Sequence, residues 1–244
     1  MENERRARQK APAGRYALLD ELRGLDLVFL FDVNMRWYAG TPGRLWQQTI
    51  CWVFILLSGF CAPFGRYMLR RGTVVFGAGA VVTLATLVFM PEGRVIFGVL
   101  TFLGAAMLLT GVLEPLLKKV MPAVGLAVSA VLFAVCYPVG LGWVGLGGWK
   151  LMLPQSLYAN YFTAFFGFYP DWFYSADYFG LLPWLFLFWA GYYLHKAVGR
   201  RRMEPLRRPV CPALGWMGRH SLLLYLLHQP VIYGVLSAAA VLFA

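Results

Sequence analysis

The stretch "LDELRGLDLVFLFDVNMRW", Leu19 to Trp37, contains the first apolar run of the chain. That run extends only from Leu25 to Val33, and as a helix it would measure about 14 Å, under half of a hydrocarbon core of about 30 Å. Asp26 and Asp32 lie within it, and each would cost about 3 kcal/mol near the centre of a bilayer. Length and charge therefore argue against this run as an ordinary membrane span.

The composition of the chain is that of an integral membrane protein. Apolar residues make up 60% of the 244 residues and charged residues only 14%, a balance that soluble folds of this size do not have. Residues 1–15 are polar and basic, lack the features of a signal peptide, and are expected to form a disordered cytosolic tail. The rest, residues 16–244, is expected to be a single all-α transmembrane domain.

Six longer apolar segments follow the opening run, and each is long enough to cross or nearly cross a bilayer as a helix. They are Leu45 to Phe64, Thr73 to Met90, Val95 to Leu113, Ala123 to Tyr137, Phe179 to Leu194 and Ser221 to Phe243. Proline, glycine and clusters of charge separate them. The predicted architecture is a polytopic bundle of six full spans plus a shortened first helix.

The distribution of basic residues argues that the opening run does cross. If it crosses from a cytoplasmic N-terminus, nearly all of the 22 basic residues lie inside. The exceptions are Arg36, Arg44, Arg94 and Lys150. Because cytoplasmic loops carry an excess of Lys and Arg, charge predicts seven spans and accounts for the net charge of +11 without a nucleic-acid partner.

The sequence gives no sign of a metal or nucleotide site. Its cysteines form no C-x-x-C pair and no metal-type spacing with histidine, so they are expected to be small apolar residues, and no metal is expected. These cysteines are Cys51, Cys61, Cys136 and Cys211. No P-loop, dinucleotide fingerprint or G-x-S-x-G pattern occurs.

Four stretches carry a resemblance to a known family. They are "RYALLDELRGL" from Arg15, "LWQQTICWVFILLSGF" from Leu45, "DYFGLLPWLFLFWAGYYL" from Asp177 and "GRHSLLLYLLHQPV" from Gly218. Together they resemble the bacterial membrane proteins of the heparan-alpha-glucosaminide N-acetyltransferase catalytic-domain family, within the wider transmembrane acyltransferases. The resemblance implies a multi-pass protein of the bacterial cytoplasmic membrane, with acetyl-CoA as acyl donor and a sugar-like acceptor.

The first helix departs from the pattern of that family. There, "LRGL" leads into a full apolar helix with a histidine thought to be the catalytic base, followed by tryptophan and aspartate. Here Leu25 is followed at once by Asp26, which matches that aspartate, so about a dozen residues and the histidine are missing. Asp26 is therefore a candidate catalytic residue, and Leu18 to Val33 are expected to form a truncated or tilted helix in which water or neighbouring helices reach Asp26.

His228 is the strongest candidate for catalysis in the later segments, because an ionisable side chain within a transmembrane helix is costly. Ser221 and Tyr225 share its helix face at positions i and i+4, and Gln229 follows it. These residues suit the wall of a cavity that binds donor or acceptor. The alternative is that His228 hydrogen-bonds a neighbouring helix and only holds the bundle together.

Other polar residues near the predicted membrane surfaces are candidates for binding donor or acceptor, and some of them have a structural alternative. Arg23 stands at the mouth of the first helix beside Gly24, where helices can approach closely, and the resemblance implies a role near the donor. His220 either binds the donor or caps its helix. Gln47 and Gln48 open the second span and either hydrogen-bond an acceptor sugar or satisfy neighbouring backbone groups.

The basic clusters at Arg66 to Arg71 and Gly199 to Arg208 could bind coenzyme phosphates, although the charge asymmetry alone predicts them.

His195 is expected to be structural, at the C-terminal end of its helix, where the helix dipole favours a cation. Residues 138–178 form a long, predicted extracytoplasmic loop that is dense in aromatic rings. The rings either stack on an acceptor or form an interfacial belt.

Three functions fit these observations. The first is transfer of an acetyl group from acetyl-CoA to a carbohydrate-like acceptor. The second is an inactive relative that binds donor or acceptor without turnover, as the missing segment suggests. A transporter is weaker, because no inverted repeat is visible and few charged residues lie within the spans. Membrane lipid is an expected partner, and a homodimer is left open.

Overall fold

The computed structural model describes residues 16–32, 41–65 and 67–227, and for residues 29–32, 41–47, 200 and 201 it describes the backbone alone. The described chain is mostly helical. Its helices are α1 (Ala17–Asp32), α2 (Thr41–Cys61), α3 (Met68–Phe89), α4 (Val99–Leu117), α5 (Pro122–Cys136), α6 (Tyr161–Phe166), α7 (Leu181–Met203) and α8 (Pro212–Arg219), and residues 221–227 are also helical.

The chain divides into two compact units. One consists of Met1–Phe54 and Val198–Ala244, and the other is Ile55–Ala197. The first unit contains α1, the start of α2, the end of α7 and α8. The expectation of a single domain over residues 16–244 stays a prediction.

Within the described ranges, three helices are long and apolar enough to cross a membrane. They are Met68–Phe89, Val99–Leu117 and Pro122–Leu141, the last being α5 with the turn that follows it. Most of α2 forms a shorter apolar helix, Gln48–Phe64. The other predicted spans and the cytoplasmic N-terminus stay predictions.

The opening segment is a helix of 16 residues, Ala17–Asp32. Its residues lie where the truncated helix is predicted, Leu18 to Val33, and at 1.5 Å per residue the described part measures about 24 Å. Residues 33–40 lie outside the described residues, so the truncation stays a prediction.

The prediction of an all-α fold was wrong in one place, because residues 138–178 contain a β-hairpin. Strand β1 (Trp143–Leu146) pairs antiparallel with β2 (Trp149–Met152), with Val144 opposite Leu151. Gly147 has φ +61 in the tight turn between them, a value that favours glycine. Strands of four residues give too short an alternation to stand out within an apolar region.

Helices α3 and α4 pack with their backbones close together, and glycine makes this possible. A Cβ added to Gly79 would lie 2.6 Å from the backbone nitrogen of Thr101, and one added to Gly104 would lie 2.5 Å from the Cα of Phe76. Lipid tails are as apolar as leucine, so helices in a membrane associate through such close packing rather than through the hydrophobic effect.

Helices α2 and α7 cross through glycine as well. Gly59 faces the backbone carbonyl of Phe188, and Gly191 faces the backbone carbonyl of Leu56, so a side chain at either glycine would collide with a carbonyl oxygen. Both contacts lie within the second unit. They bring the two helix backbones together at two points that are about one helical turn apart.

His195 of α7 forms a side-chain hydrogen bond to the backbone of α2. Its Nδ1 lies 2.8 Å from the carbonyl oxygen of Phe60, and its ring centroid lies 4.4 Å from that of Phe64. The expectation that His195 ends its helix was wrong, because α7 continues to Met203. Its hydrogen bond to α2, rather than the helix dipole, gives it a structural role.

Gly79→Ala should destabilise the protein by on the order of 2 kcal/mol, because the new methyl group overlaps the backbone of α4. Gly77→Ala is the matched control on the same helix, since nothing lies within 4 Å of a Cβ added there. It should be neutral or slightly stabilising, because alanine is the better helix former. Thermal unfolding of both variants in detergent measures the difference, and equal melting temperatures would contradict the α3–α4 contact.

Candidate functional site

Helices α1 and α8 cross with their backbones in contact at two glycines. Gly24 faces the carbonyl group of Leu214, whose carbon would lie 2.8 Å from an added Cβ, and Gly218 faces the carbonyl oxygen of Asp20. A side chain at either glycine would overlap backbone atoms of the other helix. Because the later glycine of each helix meets the earlier residue of the other, the helices run antiparallel: the "LRGL" segment of α1 lies beside Leu214, and the "GRH" segment that ends α8 lies beside Asp20.

A buried carboxylate on α1 binds the backbone of the segment that leads into α8. Glu21 is 4% exposed, and its Oε1 and Oε2 accept hydrogen bonds from the backbone N–H of Val210 at 2.9 and 3.0 Å. Val210 lies just before α8, so the bond holds the entry of that helix against α1. Hydrogen bonds to an ionised carboxylate are among the stronger ones in proteins.

Asp26 lies on the next turn of α1 and is 8% exposed. Its Oδ2 is buried and has no hydrogen-bond partner within the part of the chain that the structure describes. Arg23 stands one helical turn earlier on the same face. A buried carboxylate oxygen without a partner is costly and rare, so Asp26 is the described residue that most strongly marks a functional site.

The residues predicted around His228 are described in part. Ser221 and Tyr225 are half-buried and one turn apart in the helix of residues 221–227. His228 and Gln229 lie outside the described residues. The polar stripe that would join these four side chains therefore stays a prediction.

His220 lies at the junction between α8 and the helix that follows. It is the C-terminal cap of α8, and its Nδ1 lies 2.9 Å from the carbonyl oxygen of Trp216, against whose ring it packs. The capping alternative, which concerned the helix after His220, stays a prediction. Its donor-binding role stays a prediction.

Gln47 and Gln48 lie in the first half of α2. Gln48 is half-buried, and Gln47 is described by its backbone alone. Their role in binding an acceptor stays a prediction.

Many of the aromatic rings in residues 138–178 pack against one another. Phe173 contacts Tyr161, Tyr169 and Tyr178 at centroid distances of 5.0 to 6.1 Å. The hydroxyl of Tyr178 donates to the carbonyl of Ala164 at 2.6 Å, and burial raises the pKa of Tyr178, so the phenol stays protonated. These rings form a small core of their own, and an acceptor could stack only on exposed ones such as Trp172, which is 56% exposed.

Asp177, one of the two acids in that region, caps a helix. Its Oδ2 accepts a hydrogen bond from the backbone N–H of Val99, the first residue of α4, at 3.0 Å. A carboxylate at a helix N-terminus satisfies an orphan donor and favours the helix dipole. Asp177 therefore serves the fold of the second unit.

No group of three or more His, Cys, Asp or Glu that could hold a metal ion occurs in the part of the chain that the structure describes. Because His228 lies outside that part, the expectation of a metal-free protein stays a prediction.

The sequence matches the family described as "Heparan-alpha-glucosaminide N-acetyltransferase, catalytic" over residues 15–230. The chain belongs to this family. The match includes both helices of the α1–α8 crossing, together with Glu21 and Asp26. No curated protein and no solved structure matches the chain.

Membership in the heparan-alpha-glucosaminide N-acetyltransferase catalytic family confirms the resemblance seen in the sequence. Together with the three apolar helices, it identifies an integral membrane protein of the acetyltransferase type. The sequence analysis did not identify Glu21 as a residue of the site. Nothing in the sequence around Glu21 indicates its hydrogen-bond partner, which lies 189 residues away.

Glu21→Ala should destabilise the protein by about 1 to 3 kcal/mol, because it leaves the N–H of Val210 without its acceptor. Glu204→Ala is the control, since its ion pair with Arg207 lies at the surface, where such pairs contribute about 0 to 1 kcal/mol. Differential scanning fluorimetry of the purified variants compares the two. A loss for Glu204→Ala as large as that for Glu21→Ala would contradict the anchoring role of Glu21.

Proposed function

We propose that this protein is a membrane acyltransferase that moves an acetyl group from acetyl-CoA to a hydroxyl or amine of a carbohydrate-like acceptor. The family match over residues 15–230 supports the reaction type. The single observation that carries the assignment to this site is the buried Oδ2 of Asp26, which has no hydrogen-bond partner among the described residues and lies on the helix that contains the family's "LRGL" segment.

In the proposed reaction, Asp26 accepts the proton of the acceptor group. The freed oxygen or nitrogen attacks the thioester carbonyl carbon, the C–S bond breaks, and the coenzyme leaves as a thiolate that takes up a proton. General base catalysis of this kind contributes about 10²- to 10⁴-fold to the rate. Asp26 suits the role because none of the described residues donates a hydrogen bond to its Oδ2.

Arg23 has a separate role in this proposal. Its guanidinium, one turn from Asp26, would attract the anionic donor and offset negative charge that develops on the carbonyl oxygen. His220, at the end of α8, lies on the helix that Gly24 of α1 contacts. We assign it to the donor side as well.

The remaining predicted residues complete the proposed site. His228 is a second catalytic candidate, with Ser221, Tyr225 and Gln229 beside it along the helix. Gln47 and Gln48 would hydrogen-bond the acceptor. In this proposal the chain crosses a bacterial cytoplasmic membrane seven times from a cytoplasmic N-terminus, contacts lipid, and forms a homodimer or acts alone.

Transfer of label from radioactive acetyl-CoA, measured with the full chain in nanodiscs and a panel of sugar acceptors, tests the reaction. Asp26→Asn should lower turnover by about 10²-fold or more, because the amide cannot take a proton. Asp171→Asn, at an exposed carboxylate in residues 138–178, should leave it unchanged. Turnover that is the same in Asp26→Asn and the unaltered chain would exclude Asp26 as the base, and His228→Ala then tests the second candidate.

The alternative, an inactive relative that binds without turnover, has its own observation. Helix α1 has 16 residues and contains no histidine, whereas the family's first helix carries its base there. In this case coenzyme A should raise the melting temperature of the chain while no acceptor is acetylated. Inserting a histidine-bearing segment between Leu25 and Asp26 should then restore transfer, and an inserted segment with alanine in place of histidine should not.

A further inference from the structure

The β1–β2 hairpin has two unlike faces. Side chains alternate between the faces of a strand, and directly paired residues share a face. Val144 and Leu146 of β1 therefore lie on the same face as their partners Leu151 and Trp149 of β2. This face, which we call the apolar face, consists of those four residues and has no polar or charged side chain.

Among the described residues, nothing covers three members of the apolar face, and the fourth, Val144, is half-buried. Leu146 is 57% exposed, Trp149 is 60% exposed and Leu151 is 52% exposed. A two-stranded hairpin is marginally stable in water without something to pack on. Exposed apolar side chains grouped on one face therefore call for a partner.

The opposite face carries the hairpin's charge. It contains Trp143, Gly145, Lys150 and Met152. Lys150 is the sole charged residue of the two strands, and its ammonium lies 4.7 Å from the centroid of the Trp143 ring. Tryptophan and lysine together are typical of the boundary between lipid and water, where the ring faces inward and the ammonium reaches the headgroups.

The position of the hairpin along the chain identifies what it meets. Strand β1 begins two residues after the candidate span Pro122–Leu141 and contacts α5 and the turn at its end. Along α5, Val124, Val128 and Val131 are about half exposed at i, i+4 and i+7, so one stripe of this helix faces outward with apolar side chains only. In a membrane that stripe contacts lipid.

Exposed apolar side chains continue from that stripe toward the hairpin. Tyr137 is 38% exposed and Leu141 is 75% exposed in the turn that joins α5 to β1. We propose that the apolar face of the hairpin lies on the lipid at the membrane surface, as an interfacial anchor at the end of α5. The partner is a lipid surface, with Lys150 directed to its anionic headgroups.

Lipid suits the apolar face better than a second protein surface does. A specific protein interface carries hydrogen bonds or charges that set its register, and the side chains of the apolar face offer only the indole N–H of Trp149. Lipid requires only apolar area beside a Trp and Lys border, which the hairpin has. The inference requires membrane residence but not acyl transfer, so a failed transfer assay leaves it intact.

Spin labels on neighbouring residues of β2 test the proposal in the full chain. Leu151 and Met152 are adjacent, apolar and exposed, but they lie on opposite faces of the hairpin. A nitroxide is attached to Leu151→Cys or Met152→Cys in a chain whose four cysteines are replaced, and the protein is reconstituted in nanodiscs that contain anionic lipid. Accessibility to oxygen, which concentrates in lipid, is compared with accessibility to a nickel chelate, which stays in water.

Reference labels define the two limits. Val128→Cys, on the exposed stripe of α5, gives the lipid value, and Ser156→Cys, exposed in the polar turn after the hairpin, gives the water value. The ratio of oxygen to nickel accessibility should be several-fold higher at Leu151 than at Met152 and should approach the value at Val128. Leu146→Cys, a second site on the apolar face, should repeat the result and so exclude local unfolding at Leu151 as its cause.

Two results would overturn the proposal. A label at Leu151 that is as accessible to the nickel chelate as the label at Ser156 would mean that the apolar face lies in water. A label at Leu151 that neither reagent reaches would mean that protein covers the face, and dipolar broadening between two labelled copies would then identify a second chain as the cover.

Discussion

The contact between the backbones of α1 and α8 is the constraint on which the proposed site rests. Gly24 and Gly218 allow each helix to touch a carbonyl group of the other, so the two helices are held at the shortest separation that the chain permits. At that separation the Glu21 carboxylate reaches the N–H of Val210. A wider crossing would break that bond and separate the "LRGL" segment from the backbone of Leu214.

Other helix pairs in the structure follow the same rule. Gly79 and Gly104 join α3 to α4, and Gly59 and Gly191 join α2 to α7. In water, bulky apolar side chains would drive such helices together, but in lipid that driving force is absent, and close van der Waals contact replaces it. Polar groups then add specificity at single points, as His195 does with the carbonyl of Phe60.

The sequence predicted the helices well, because a run of apolar residues long enough for a bilayer leaves few alternatives to a helix. It also predicted that Gly24 permits a close helix approach. It could not predict the anchor at Glu21, whose partner is a backbone group nearly the whole chain away. It predicted a structural role for His195 but not its cause, the hydrogen bond to the carbonyl of Phe60. The sequence did not predict the hairpin, because its two short strands lie in a region where apolar residues are common and no alternation stands out.

The α1–α8 crossing is formed by glycines and backbone carbonyl groups, whereas the proposed reaction depends on side chains. At both glycines the opposing surface is a backbone carbonyl, of Leu214 and of Asp20, and every amino acid supplies that group. The crossing therefore places no demand on the side chains at these two positions, whereas it admits only glycine at the other two. In the proposed acyltransferase, side chains around Asp26 would therefore be free to differ between substrates while these two backbone contacts stay the same.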